Sequence, residues 1–324
     1  MKTRFFSISA ALCFSLLLLP VGVFAKMSFK LGHTGAPNHH YHITCEKFAE
    51  AVKQQSKGEI EITVFPSDQI GNQRQLVEGA QLGTVDMVLT SDSQLSSFID
   101  AYGVLNLPFL FRDVAHVAKA MDGAVGEYFS KEAEKKGIVI LGYWENGFRH
   151  VSNSKRPITK LEDLKGLKIR TPNSQVTLDS FKALGALPTP MSFGEIYSAL
   201  QLGTVDGQEN PVAHILTQKW YEVQKFFSLT NHQHNVEPLC MSKIVFDSLK
   251  HEYKKILLEE AKAHSQVSRN MVTDDEAKQL EELKTKIAVN AVADLKPFQD
   301  ACKPVYDSAR QKYGAIVDQI LAVK

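Results

Sequence analysis

The chain reads as an α/β protein of two lobes, and three features of its 324 residues point there. Short β-patterned runs alternate with helically spaced ones, as parallel strands require because helices carry their crossovers. The hexapeptide Gln-Leu-Gly-Thr-Val-Asp occurs twice, at Gln81 to Asp86 and at Gln201 to Asp206, which is an internal repeat. Each copy closes a helical pattern, Leu76, Val77, Ala80 and Leu82 in one and Phe193, Ile196, Ala199 and Leu200 in the other. Gly83 and Gly203 then suit the left-handed residue that ends a helix.

At the amino terminus, Lys2 and Arg4 precede an apolar run from Ala10 to Leu19 and a small residue after Val23-Phe24. This is the pattern of a secretory signal peptide, residues 1–25, cut after Ala25. The run is short for a membrane span of roughly 20 residues. Cys13 lacks the small preceding neighbour that lipid attachment wants, so the product is expected to be exported as a free protein. Cleavage removes two bases and no acids, leaving 35 basic against 36 acidic side chains, a net charge of −1. That balance gives no basis for binding nucleic acid or an anionic membrane. Cys45, Cys240 and Cys302 are odd in number and lack Cys-x-x-Cys. They read as small core residues, with one disulfide still open to them in an oxidising compartment.

The elements follow in order. Phe29-Lys30-Leu31 reads as a strand, then a helix runs near Tyr41 to Gln55. Ile60 to Phe65 alternates apolar and polar and stops at Pro66. A helix near Asn72 to Leu82 leads to a strand at Asp86 to Leu89, and more helix, around Val114 to Lys136, precedes the apolar strand Ile138 to Leu141. A second series opens near Trp144 with Val151-Ser152, and continues with a strand at Leu167 to Arg170 and helices at Ser174 to Leu184 and Phe193 to Leu202. Past the hexapeptides the copies diverge: one continues as Met87-Val88-Leu89, the other as Gly207-Gln208-Glu209-Asn210-Pro211. From Asp247 the chain is mostly long amphipathic helix. The expected lobes are 26–146 with about 236–275, and 147–235 with about 276–324. A cleft between them is the default place for a ligand.

Two arginines stand out. In Leu167-Lys168-Ile169-Arg170-Thr171-Pro172, Leu167 and Ile169 face the core and Pro172 stops the strand. Arg170 thus lies at the carboxyl end of a strand beside a helix start, where α/β folds bind ligands. Its guanidinium suits a carboxylate, although a surface pair with a nearby acid is an equal reading of the residues alone. Arg149, in Trp144-Glu145-Asn146-Gly147-Phe148-Arg149, sits at the crossing between lobes, either facing the cleft or solvated and paired with Glu145. His33, His39, His40 and His42 cluster, but no carboxylate pair or cysteine completes a metal shell, so no metal and no cofactor is expected. Catalytic motifs are missing: no Gly-x-Ser-x-Gly, His-Glu-x-x-His, Gly-x-x-x-x-Gly-Lys or Gly-x-Gly-x-x-Gly.

Taken together, several segments resemble the extracytoplasmic solute receptors of tripartite ATP-independent periplasmic (TRAP) transporters, of the C4-dicarboxylate-binding type. They are Phe65 to Gly71, Leu107 to Phe111, Asp163 to Arg170, Pro188 to Glu195 and Val205 to Pro211, and the likeness spans residues 26–324. The resemblance implies two α/β lobes joined by hinge strands and spanned by a long helix. It implies that Arg170 bridges a ligand carboxylate, that Asn210 adds an amide, that Arg149 contacts the same ligand and that Phe193 packs over it. His33, Thr34, Ser91 and Asp92 fall where the family varies its residues to choose a substrate. Asp92, Glu145, His33, Thr34 and His39 suit a hydroxylated acid such as a uronate; the alternative is a C4-dicarboxylate, with Arg149 or a histidine as second anchor. The implied role is capture by cleft closure in the periplasm and delivery to the membrane subunits, by a monomer and without catalysis. A sensory module for a signalling partner shares the same fold.

Overall fold

The computed structural model describes residues 26–324, so the signal-peptide expectation lies outside the described residues. Nine strands form one hydrogen-bonded sheet: β1 (Met27–Gly32), β2 (Ile60–Phe65), β3 (Met87–Leu89), β4 (Ile138–Asn153), β5 (Lys168–Thr171), β6 (Leu187–Pro190), β7 (Gly207–Asn210), β8 (Phe226–Ser242) and β9 (Ala288–Ala291). Their order is β2-β1-β3-β8-β4-β7-β5-β6, with β9 added to β8. One half is the parallel set β2-β1-β3, the other the parallel set β7-β5-β6. Between them β4 and β8 run antiparallel through both halves, with register shifts at Ile140/Gly142, Glu145/Gly147 and Arg149/Val151. Such bulges bend a ladder locally, and Gly147 takes φ 113° at the middle one.

The repeat is structurally faithful. Gly83 and Gly203 close their helices with φ 76° and 69°, and Thr84 and Thr204 donate to the carbonyls of Gly79 and Ala199. Each final aspartate then accepts a backbone N–H from the neighbouring parallel strand, Asp86 from Lys30 at 2.8 Å and Asp206 from Lys168 at 2.9 Å. The hexapeptide therefore turns the chain from helix to strand and stitches that strand to the next.

Each half of the sheet is covered on both faces. On the first, Leu31, Phe48, Ile60 and Trp144 pack on one side, Leu76, Tyr102, Leu105 and Phe129 on the other. On the second, Ile169, Phe181 and Phe298 oppose Leu200, Trp220 and Phe227. The helix His251–Lys284, about 51 Å long at 1.5 Å per residue, puts Leu257 and Ala261 into the first lobe and Leu283 into the second. The end of the chain departs from the expected division. Pro304 starts a helix, Lys303–Tyr313, that turns back, so Val305, Ala309, Val317 and Ile320 join the first lobe's core beside Tyr102. Two further expectations change. The strand at Ile138 is 16 residues rather than four, absorbing Val151-Ser152, and the helix expected from Val114 breaks at Asp122-Gly123. No helix among the described residues is long and apolar enough to cross a membrane.

Candidate ligand-binding site

The carboxyl ends of the parallel strands from both halves converge on a narrow polar cavity. Thr34, Gln73, Ser91 and Ser93 line it from the first lobe, with Tyr41 and Glu237. Arg170, Pro172, Phe193, Asn210 and His214 line it from the second, and Asn146 and Arg149 of β4 lie between. The lobes touch beside it, where Ser97 Oγ donates to the Asn173 carbonyl at 2.6 Å.

Arg170 is 3% exposed. Its Nε and Nη2 donate to the Met191 carbonyl at 3.0 and 2.7 Å. Among the described residues it forms no ion pair, the nearest thing to a partner being that single carbonyl. Burial, reinforced by Arg149, pushes its pKa down to about 9 against the pull of Glu209 and Glu195. A buried cation in that state is electrostatically incomplete. Arg149 is the opposite case. Its Nε and Nη2 grip the Glu209 carboxylate at 2.5 and 2.8 Å, and Nη2 also reaches the Glu209 carbonyl at 2.6 Å. His232 Nε2 donates to the same carboxylate at 3.1 Å. Burial works to raise Glu209, yet Arg149 and His232 outweigh it and hold the group down to about 2. Arg149 is thus neither solvated nor paired with Glu145.

Asn210 is positioned by a chain of side chains. Its Nδ2 donates to Gln208 Oε1 at 2.6 Å, Gln208 Nε2 to Ser152 Oγ at 2.9 Å, and Ser152 Oγ to Gln224 Oε1 at 3.0 Å. On the other flank, neutral His214 donates to Asn146 Oδ1 at 3.1 Å, stacks on His39 at 4.3 Å and meets the edge of Phe193 at 5.0 Å. Of the clustered histidines, His39 is engaged in this stack, and no group of three or more potential ligands is placed to hold a metal among the described residues.

Of the nine residues singled out from sequence, Thr34, Ser91, Arg149, Arg170, Phe193 and Asn210 line the cavity, whereas His33, Asp92 and Glu145 do not. His33 accepts the Gly35 N–H on Nδ1 and turns Nε2 to His42. Asp92 is fully buried behind the wall, bound by Asn235 and the Val236 N–H, and burial raises it to about 7. The Glu145 carboxylate faces His234. Sequence reasoning missed Tyr41, Gln73, Ser93, Asn146, His214 and Glu237.

A two-lobed α/β molecule with a buried polar cavity at its strand ends and an uncompensated guanidinium inside is built as a solute receptor. Residues 31–312 match the family described as bacterial extracellular solute-binding protein, family 7. The 2,3-diketo-L-gulonate-binding periplasmic protein YiaO of Escherichia coli K12 is 37% identical over 279 residues, 86% of this chain and 85% of that one. A TRAP periplasmic solute-binding protein from Polaromonas sp JS666, solved with D-erythronate, is 40% identical at a TM-score of 0.90, covering 92% of this chain and 99% of that one. A TRAP receptor from Sulfurospirillum deleyianum, solved with succinate, is 31% identical at a TM-score of 0.88, covering 93% and 100%. The chain belongs to family 7 of the bacterial extracellular solute-binding proteins, the TRAP solute receptors.

Proposed function

We propose that this receptor captures a small hydroxylated carboxylate, a sugar acid rather than a C4-dicarboxylate, in the periplasm and hands it to TRAP membrane subunits. The observation that carries the reading is Arg170, a buried guanidinium in the cavity wall with no ion pair among the described residues. A ligand carboxylate supplies the missing charge, and Asn210 and Phe193 hold and cover it. The preference for one carboxylate rests on charge. Arg149 is already neutralised by Glu209, so the cavity offers one unpaired cation among the described residues. Relatives solved with D-erythronate and galactonate fit this reading, and one solved with succinate marks its rival.

The division of labour is that of capture, not conversion. Residues 26–146 with about 236–275 and the carboxyl-terminal helices form one jaw, residues 147–235 with about 276–302 the other, bending at the β4–β8 bulges. Ligand contacts to both jaws favour the closed form, because only differential affinity shifts such an equilibrium. The protein acts as a monomer, without cofactor or turnover, after cleavage near Ala25. The test is a thermal-shift screen of organic acids on residues 26–324, where a ligand at 100 times its Kd adds about 2.7 kcal/mol. Stabilisation by uncharged sugars but by no carboxylate sinks the proposal.

A further inference from the structure

Facing Arg170 across the cavity, the wall is made of hydroxyls and amides, with one exception. Glu237, on β8, is 1% exposed and lines the same space. Its Oε2 accepts from Tyr41 Oη at 2.8 Å, while its Oε1 is buried with no hydrogen-bond partner among the described residues. Among the described residues no ion pair compensates it, the guanidinium of Arg149 being held by Glu209. Burial, reinforced by Asp92, pushes the carboxyl well above its ordinary range, against the opposing Tyr41 hydrogen bond and Arg149. With Tyr41 donating to Oε2, it is Oε1 that is left facing the cavity without a partner among the described residues. A buried oxygen left without a partner is costly, and a carboxyl oxygen can accept a hydrogen bond from a ligand hydroxyl.

We propose that Glu237, oriented by Tyr41, recognises a hydroxyl at the uncharged end of the ligand and so selects polyhydroxy monocarboxylates against dicarboxylates. The inference rests on the reading of Arg170 as the carboxylate anchor. A second carboxylate at the far end meets the oxygens of Glu237, with no unpaired cation among the described residues to balance its charge. A hydroxyl there donates to Oε1. Sites built to hydrogen-bond a hydroxyl discriminate strongly against analogues lacking it, because their own polar groups are then stranded.

Titration calorimetry on residues 26–324 tests it. The probes are D-erythronate and galactonate, the unsubstituted acids of equal carbon count, butanoate and hexanoate, and succinate. Glu237→Met removes the polar group at similar length: the tighter hydroxylated acid is expected to weaken roughly tenfold or more while its unsubstituted partner moves less than about threefold. Glu237→Gln, which keeps a donor and an acceptor, stays within about threefold of wild type for both acids. Tyr41→Phe, leaving Glu237 in place but unoriented, weakens the hydroxylated acid several-fold and spares its partner, and it carries the test alone if Glu237→Met does not fold. Equal weakening of both acids, no weakening of either, or succinate binding more tightly than both hydroxylated acids overturns the proposal. If no carboxylate binds wild type, the receptor reading fails with it. If carboxylates bind in an Arg170-dependent way and the Glu237 and Tyr41 variants do not discriminate, only this inference fails.

Discussion

Replacing Arg170 with methionine separates what the side chain does for the empty protein from what it does for the ligand. Methionine keeps the length and the apolar packing of the stem while removing the charge. Holding a buried guanidinium charged when its pKa has fallen to about 9 costs the empty protein on the order of 5 kcal/mol. Against this, the Met191 carbonyl loses the donors it now receives at 2.7 and 3.0 Å, at about 1 to 3 kcal/mol. The balance predicts that Arg170→Met, without ligand, is more stable by about 2 to 4 kcal/mol, or roughly 2 °C in Tm for each kcal/mol. Binding moves the other way. Losing one partner of a buried charge pair is expected to weaken the best carboxylate by about 2 to 5 kcal/mol, roughly 30- to 5000-fold. Thermal unfolding with and without ligand reads both effects in one experiment. A variant that is destabilised when empty, or that keeps its ligand-induced shift, refutes the account of Arg170 as a cation waiting for its partner.

Glu209→Gln leaves Arg149 buried and unpaired and is expected to cost about 3 to 5 kcal/mol in urea unfolding. In wild type, Glu209 titrates near 4.5 when unfolded and near 2 when folded, so its contribution is complete above pH 4.5 and drains away as the pH falls towards 2; an acid-unfolding profile unchanged in Glu209→Gln contradicts this. Gly207→Ala sets a Cβ 2.1 Å from the Ser152 carbonyl oxygen on the paired strand and should cost more than about 3 kcal/mol or prevent soluble expression; a wild-type Tm shows the ladder yields. Cys45, Cys240 and Cys302 are free and fully buried, so on residues 26–324 a thiol reagent should count three thiols in denaturant and essentially none in the native protein.

Where local chemistry decides, the sequence was readable. Ile60 to Phe65 alternates and meets Pro66, and the strand spans those residues. Asn72 and Ser174 cap the helices they were expected to start. β8 went unread because it is buried on both faces and carries His232, Gln233, His234, Asn235 and Glu237, so neither period nor composition marks it. The same difficulty hid most of β4. Glu145 and Arg149 would share a face on a regular strand, but the bulge between Glu145 and Gly147 flips the alternation. Asn146 therefore joins Arg149 at the cavity while Glu145 turns to His234. Arg170 was legible because a proline-terminated strand fixes its position. Tyr41 was not, because its role comes from Glu237, almost two hundred residues away.

The unbroken β4–β8 ladder also determines how the molecule comes apart. Each half of the sheet borrows its innermost pair of strands from a segment that continues into the other half, and the chain's last helices return to the first core. A cut at Gly147 would strand the remainder of both edges, so neither jaw is an autonomous folding unit. Calorimetry should accordingly record a single endotherm whose van't Hoff and calorimetric enthalpies agree. On the proposed closure, the jaws would swing without being able to melt independently, and a ligand gripped between them would protect the entire polypeptide at once.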